Sequence, residues 1–214
     1  MIAGAGLKFI LAGLILTIIS SLWSAYKDSF GLLVTAAVLA IITLFLIYFY
    51  RNPVRQIPQE PGLILSTADG RVIGVEDIEN EFIGGRGKKV SIFMSVMDPH
   101  LNRIPIDGRL EYVKYIPGKF FKAFLDKASE ENEHTEIGLK FASGRLIFKQ
   151  IAGILARRID CDVQPDQEVK VGELYGLIHF GSRAELYLPE NIEVLVKDGE
   201  RVKAGISVIG RIKD

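Results

Sequence analysis

Two uninterrupted apolar runs at the amino terminus constrain this chain more than any other feature. Between Lys8 and Lys27 lie 18 uncharged residues, FILAGLILTIISSLWSAY, and between Asp28 and Arg51 lie 22 more, SFGLLVTAAVLAIITLFLIYFY. At a rise of about 1.5 Å per residue, helices near twenty residues match a hydrocarbon core roughly 30 Å thick. The joint is only Lys27-Asp28-Ser29, with Gly31 just after, which suits a tight helical hairpin. Trp23 and Tyr26 flank the joint and Tyr48 and Tyr50 sit at the far end, where amphipathic rings favour an interface. A cleaved leader accounts for one run but not for a longer one directly behind it. Two core helices of a soluble protein would carry polar faces, and these runs have almost none. Residues 1–52 therefore read as a membrane hairpin, either transmembrane or monotopic. Lys8, Arg51 and Arg55 favour both ends, and the domain that follows, on the cytoplasmic side of the cell membrane.

The remainder is different in kind. The chain balances 26 Lys+Arg against 26 Asp+Glu, and only Lys8, Lys27 and Asp28 fall in residues 1–50. That leaves 24 basic and 25 acidic groups on residues 51–214, so no nucleic-acid partner is expected from net charge. A segment of this length buries one sizeable core, and residues 53–214 are read as one domain. The single Cys161 excludes an intramolecular disulfide framework and an all-cysteine zinc site. Asn52-Pro53 stops the second helix, and Pro58 and Pro61 stiffen the linker.

Beyond the linker, short β-rich runs bounded by Gly, Asp or Pro predict strands at 63–66, 71–75, 89–96, 109–116, 136–141 and 145–151. Ala142-Ser143-Gly144 reads as a hairpin turn. Residues 119–134 begin with a helical pattern and end in an acidic stretch expected to be an exposed loop, and 151–159 fits strand or helix equally. Val169-Lys170-Val171-Gly172 recurs 33 residues later as Val202-Lys203-Ala204-Gly205, suggesting two hairpins that close a small sandwich or barrel. The predicted fold class is mainly β (α+β): a compact β-sandwich or barrel-like domain behind an N-terminal helical hairpin.

Candidates for chemistry are few. His134 stands in the acidic stretch and carries little promise. His100, His134 and His179 lack paired spacing, so no metal is expected. Gly84-Gly85-Arg86-Gly87 reads as a turn, because no strand-to-helix context makes it a nucleotide loop. Two segments stand out together: FMSVMDPHLNRIPIDG at 93–108, and GLIHFGSRAELYLP at 176–189, where Gly181-Ser182 separates two strand-like runs.

With FYRNPVR at 49–55, the Ala68-Asp69-Gly70 triplet, FKQIAGILARRI at 148–159 and FGSRAELYLP at 180–189, the chain over residues 48–214 resembles the pyruvoyl-dependent phosphatidylserine decarboxylase proenzymes in their short form. The resemblance implies self-cleavage of the Gly181–Ser182 bond, giving a large chain, 1–181, and a small chain, 182–214, that stay together as a heterodimer. Ser182 would become a covalent pyruvoyl group, the cofactor that forms a Schiff base with the serine headgroup of the phospholipid substrate and accepts electrons as carbon dioxide leaves. Glycine before the nucleophile leaves the scissile carbonyl open to close approach.

Asp69 and His100 match positions that serve the family, Asp69 in self-cleavage and His100 as general acid/base in decarboxylation. Longer relatives carry a histidine where this chain has Arg103, and an always-charged guanidinium is a poor base. Asp69 is then expected to activate Ser182 directly or through another group, and Arg103 to hold a carboxylate or the lipid phosphate. His179 is either strand core or a substrate contact. Lys119/Lys122 and Arg157-Arg158 are local cationic patches for anionic lipid, and Phe120-Phe121 and Phe124 serve either as a membrane-facing lid or as ordinary core.

Three other readings remain. Archaetidylserine is an ether-lipid alternative for the substrate. A membrane-anchored serine hydrolase using Ser182 lacks a Gly-x-Ser-x-Gly elbow. A non-enzymatic scaffold resting on the paired V-K-x-G turns lacks an obvious carrier lysine. The readings separate on one mass measurement: Ser182→Ala is expected to remain a single uncut chain without decarboxylase activity, while the parent chain gives two pieces, the smaller one blocked at its amino terminus.

Overall fold

The computed structural model describes residues 2–123, 128–154 and 158–213. They form two compact units, one ending at Val54 and one beginning at Arg55.

The first unit is a helical hairpin, α1 (Gly4–Lys27) and α2 (Phe30–Phe49), about 36 and 30 Å long at the α-helical rise. Both helices are long and apolar enough to cross a membrane. Asp28 closes α1 in the left-handed conformation, φ 48°, and turns the chain into α2. Small residues let the two helices approach: a methyl on Gly13 would meet Thr43 Oγ1 at 2.5 Å. Thr17, Ser21, Thr35 and Thr43 each return the hydroxyl proton to the carbonyl four residues back, so no polar group in these turns needs water. Meanwhile Leu22, Phe30, Ile41 and Leu44 lie exposed. A core helix of a soluble protein would cover such side chains; here the apolar surface faces outward and calls for an apolar surrounding.

The second unit is mainly β. Its strands are β1 (Leu63–Leu65), β2 (Gly70–Asn80), β3 (Gly85–Met94), β4 (Leu101–Arg103), β5 (Gly108–Ile116), β6 (His134–Phe141), β7 (Gly144–Ile151), β8 (Ile159–Cys161), β9 (Glu168–Val169), β10 (Leu174–Ile178), β11 (Ser182–Pro189), β12 (Ile192–Val194), β13 (Arg201–Val202) and β14 (Val208–Ile212), with one helical turn, α3 (Ala128–Glu131). Eight of them form one curled antiparallel sheet in the order β13-β2-β3-β11-β7-β6-β5-β9. Two three-stranded sheets, β1-β14-β12 and β4-β10-β8, complete the unit. Strand alternation divides the large sheet by face. Val90, Ile92 and Met94 of β3, Ala184, Leu186 and Leu188 of β11, and Leu146 and Phe148 of β7 join the buried core together with Tyr175 and Ile178 of β10. Phe148 packs edge-on against Tyr175 with ring centroids 4.8 Å apart.

The repeated V-K-x-G segments take a different form from the two hairpins expected. Val169 and Val202 lie in β9 and β13, which cover opposite edges of the large sheet. Gly172 and Gly205 then turn the chain at φ 81° and 68°, and the next strands, β10 and β14, enter the middle of the two small sheets. Each copy is thus an edge strand, a glycine turn and a central strand of another sheet. The glycines are required because the turns pack closely: a Cβ on Gly205 would stand 3.0 Å from Ile57 Cδ1 and 3.7 Å from Gly172 Cα.

A second difference concerns residues 119–134. His134 is buried and starts β6, with Nδ1 2.7 Å from the Asn132 carbonyl, and Asn132 is itself fully buried. Burial of the flanking Asn132 and Ser129 overrides the acidic composition that suggested a solvated loop. Phe124 and Arg157 lie outside the described residues, whereas the Ala142-Ser143 turn joins β6 and β7 as expected. Phe148→Ala, which empties the contact with Tyr175, is expected to cost about 3–5 kcal/mol, read from the denaturant midpoint.

Candidate active site

The site lies where β10 of a small sheet hands the chain to β11 of the large one. Between the two strands, Phe180 and Gly181 adopt left-handed backbone at φ 49° and 63°. Such conformations are costly for a phenylalanine and persist only where the surroundings impose them. Ser182 follows as the first residue of β11. It is fully buried, pairs in register with Met94, and points its Oγ at Met94 Sδ, 3.3 Å away.

His100 is brought to this turn from 81 residues upstream. Its Nδ1 lies 2.8 Å from the Asp98 carbonyl, and its Nε2 lies 3.1 Å from the Gly181 amide nitrogen. The amide can only donate, so Nε2 must accept and Nδ1 must carry the hydrogen. The imidazole is thereby held as one neutral tautomer, its lone pair aimed at the residue before Ser182. Asp98 is fixed in turn by the Ser95 amide on Oδ2 and by Arg201 on Oδ1, at 3.0 and 3.1 Å.

Asp69 occupies a separate pocket of charge. Arg55 donates Nη2 to its Oδ1 at 2.6 Å, with both side chains more than nine-tenths buried, and the Ala204 amide reaches its Oδ2 at 3.4 Å. Burial pushes the Asp69 carboxyl above the usual carboxylate range, against the pull of Arg55. Among the described residues, no hydrogen bond joins Asp69 to Ser182. Arg103 donates to the Gly172 carbonyl at 2.7 Å, and burial followed by the charge of Arg55 lowers its pKa. His179 sits away from Ser182 with Nε2 3.1 Å from Asp160 Oδ2. Burial opposes ionisation of Asp160, but hydrogen bonds from His179 and Arg158 hold its carboxyl below the usual range.

The structure thus joins His100 to Gly181-Ser182 and keeps Asp69, Arg103 and His179 in contacts of their own. It also adds residues that the sequence reading left without a role. Arg55 stood in the quoted FYRNPVR run, but nothing in that run identifies Asp69 as its partner. Asn102, in the His-x-Asn-Arg element, is fully buried, with Oδ1 accepting from Gln150 Nε2 at 3.0 Å and Nδ2 3.9 Å from Met94 Sδ.

Behind the turn, the opposite face of β11 carries a buried ion pair. Arg183 Nη2 stands 2.8 Å from Glu185 Oε1 and donates to Ser91 Oγ at 2.6 Å. Glu185 also accepts from Ser129 of α3 at 2.7 Å and from Tyr187 at 3.0 Å. Alongside lies a cavity of about 340 Å³ walled by Phe93, Val96, Ala123, Ile154 and Phe180. It ends at Gly181, and among the described residues Lys122 is the charged one in its lining.

Comparison with known proteins identifies a family that this chain resembles over most of its length. The family model for phosphatidylserine decarboxylase matches residues 42–210. A phosphatidylserine decarboxylase proenzyme of Carboxydothermus hydrogenoformans is 44% identical over 205 residues, covering 88% of this chain and 96% of the relative. Proenzymes of the same name from Symbiobacterium thermophilum and Pelobacter propionicus are 47% and 41% identical, over 82% and 99% of this chain and 83% and 96% of their own.

The ion pair on β11 gives a direct test of what packs behind the turn. Glu185→Ala strands the Arg183 guanidinium without its carboxylate and is expected to cost about 3–5 kcal/mol. The double replacement Arg183→Met with Glu185→Leu removes both charges and recovers most of that loss, compared by denaturant midpoints.

Proposed function

This chain belongs to the phosphatidylserine decarboxylase family, and from that premise we propose that it converts phosphatidylserine to phosphatidylethanolamine as a carboxy-lyase made in proenzyme form. The observation that carries the proposal is the strained Phe180-Gly181 turn, with Ser182 beyond it and His100 Nε2 against its amide.

Maturation follows from these residues. The Ser182 side chain first turns from Met94 toward the Gly181 carbonyl, and its hydroxyl adds to the carbonyl carbon as its proton passes to a base. The C–N bond breaks, the Ser182 nitrogen takes a proton, and an ester replaces the amide. Loss of the Ser182 α-proton then expels the Gly181 carboxylate from Cβ by β-elimination. Water hydrolyses the remaining dehydroalanine, releasing ammonia and leaving a pyruvoyl group on residue 182. The site fits such a group: Ser182 is fully buried at a strand end, next to a neutral imidazole. Such a pyruvoyl group, held at residue 182, would supply the carbonyl chemistry that a decarboxylation of an amino acid headgroup needs, as an electron sink.

The chain's own groups divide the remaining work. Asp69 is assigned as the base of self-cleavage, supported by burial that raises its proton affinity. Because it makes no hydrogen bond to Ser182, the proton must cross through a bridging group or after the serine has turned. Cutting the 181–182 bond frees Gly181 from β11, so the His100 Nε2 lone pair, no longer held by the Gly181 amide, can take up a proton and return it during decarboxylation. The apolar cavity beside Gly181 suits the lipid's glycerol portion, with Lys122 toward its phosphate. The small chain, 182–214, stays with the large one because β11 is hydrogen-bonded to β3 and β7 on its two edges.

The hairpin anchors the enzyme in its substrate's bilayer, raising the local lipid concentration. Both of its ends are assigned to the cytoplasm. Since Arg55 is committed to Asp69, Lys8 and Arg51 carry the charge asymmetry.

Purified chain in mixed micelles should release carbon dioxide from phosphatidylserine in proportion to the fraction cut at 181–182, and turnover by uncut protein would overturn the reading. The role of Asp69 is read from the pH dependence of self-cleavage. Arg55→Met removes the cation bonded to Asp69, the main charge opposing the effect of burial, so its carboxyl stays protonated to higher pH. The rising limb of the rate should therefore move to higher pH, and an unmoved limb would exclude Asp69 as the base.

A further inference from the structure

Gly153 lies directly against the carbonyl of Gly181. A Cβ built on Gly153 would overlap the Gly181 oxygen and would stand 3.0 Å from its carbon and 3.4 Å from Ala123 Cβ. Gly153 is not among the residues at positive φ, so its backbone would tolerate a side chain and only the space is lacking.

The approach is enforced from behind. Fully buried Asn132 donates Nδ2 to the Ala152 carbonyl at 2.7 Å and to the Phe121 carbonyl at 2.8 Å, and its Oδ1 accepts from the Phe121 amide at 2.8 Å. The Ala152 amide donates to the Glu133 carbonyl at 2.9 Å. One asparagine thus ties together three stretches of chain, and Gly153 follows the last of them directly.

We propose that Gly153 is a positioning residue for self-cleavage: its bare Cα seats the Gly181 oxygen and so sets which way the scissile carbonyl faces Ser182. This rests on the reading that the chain cuts itself between Gly181 and Ser182. Fixing the oxygen fixes the plane of the carbonyl, and with it the direction along which Oγ must approach the carbon. His100 holds the same residue by its amide, so Gly181 is gripped at both polar groups, at its nitrogen by His100 and at its oxygen by Gly153. A methyl group at residue 153 pushes the oxygen off its seat, and a misplacement of about 1 Å costs on the order of 100-fold in rate.

The test follows release of the 182–214 piece by intact mass from full-length chain made by cell-free synthesis in detergent. Wild type should cut at 181–182; a wild type that stays whole defeats the self-cleavage reading itself, a result distinct from failure of the seat. Gly153→Ala should cut on the order of 100-fold more slowly, while Phe148→Ala, destabilised at its core contact with Tyr175 and away from the Gly181 seat in register, cuts at close to the wild-type rate. Turnover per mature chain of Gly153→Ala should match wild type, because the seat acts only on the intact peptide bond. Cutting of Gly153→Ala at the wild-type rate would overturn the proposal. So would a loss that merely tracks melting temperature in both variants, or an equal fall in turnover per mature chain.

Discussion

The antiparallel register of β11 between β3 and β7 is the constraint on which the rest depends. It pairs Ser182 with Met94 and Arg183 with both Phe93 and Ile151, so Ser182 is the first rung against β3 and β7 joins one residue later. A one-residue slip would exchange the faces of β11, sending Ser182 outward and Arg183 into the apolar core. Ser182 thus opens the ladder that holds β11 in place. Only the two residues before it, in left-handed backbone, carry strain.

The charges around the site are sorted by burial. Arg55–Asp69 and Arg183–Glu185 are both nearly inaccessible to water, and each ion needs its partner because an isolated charge there would be very costly. The first pair keeps a carboxylate inside the domain on the core side, while the second fastens β11 to Ser91 and Ser129 on the other face. His100 is handled differently. A carbonyl lies against one of its nitrogens and an amide against the other, which fixes one tautomer.

The two units obey opposite rules. In the hairpin, hydroxyls close on their own helix backbone and apolar side chains face out. In the β unit, apolar side chains turn inward and polar groups are paired across strands.

Local sequence was enough to fix the hairpin, most of the long strands, the Ala142-Ser143 turn and the Gly-Ser position between two strands, because these depend on hydropathy and on residues close in sequence. The His-x-Asn-Arg and Phe-Gly-Ser-Arg elements are legible for a similar reason: each is a short run of residues adjacent in sequence. What required the tertiary structure was every contact between distant segments. The 81-residue span from His100 to Gly181, the capture of Asp69 by Arg55, the burial of His134 in an acidic stretch, and the use of each V-K-x-G copy in two different sheets are set by sheet order, which no local pattern encodes. Gly153 is the clearest case. In the sequence it is one glycine in an ambiguous run, and only packing reveals that the space it leaves empty is where the Gly181 oxygen sits.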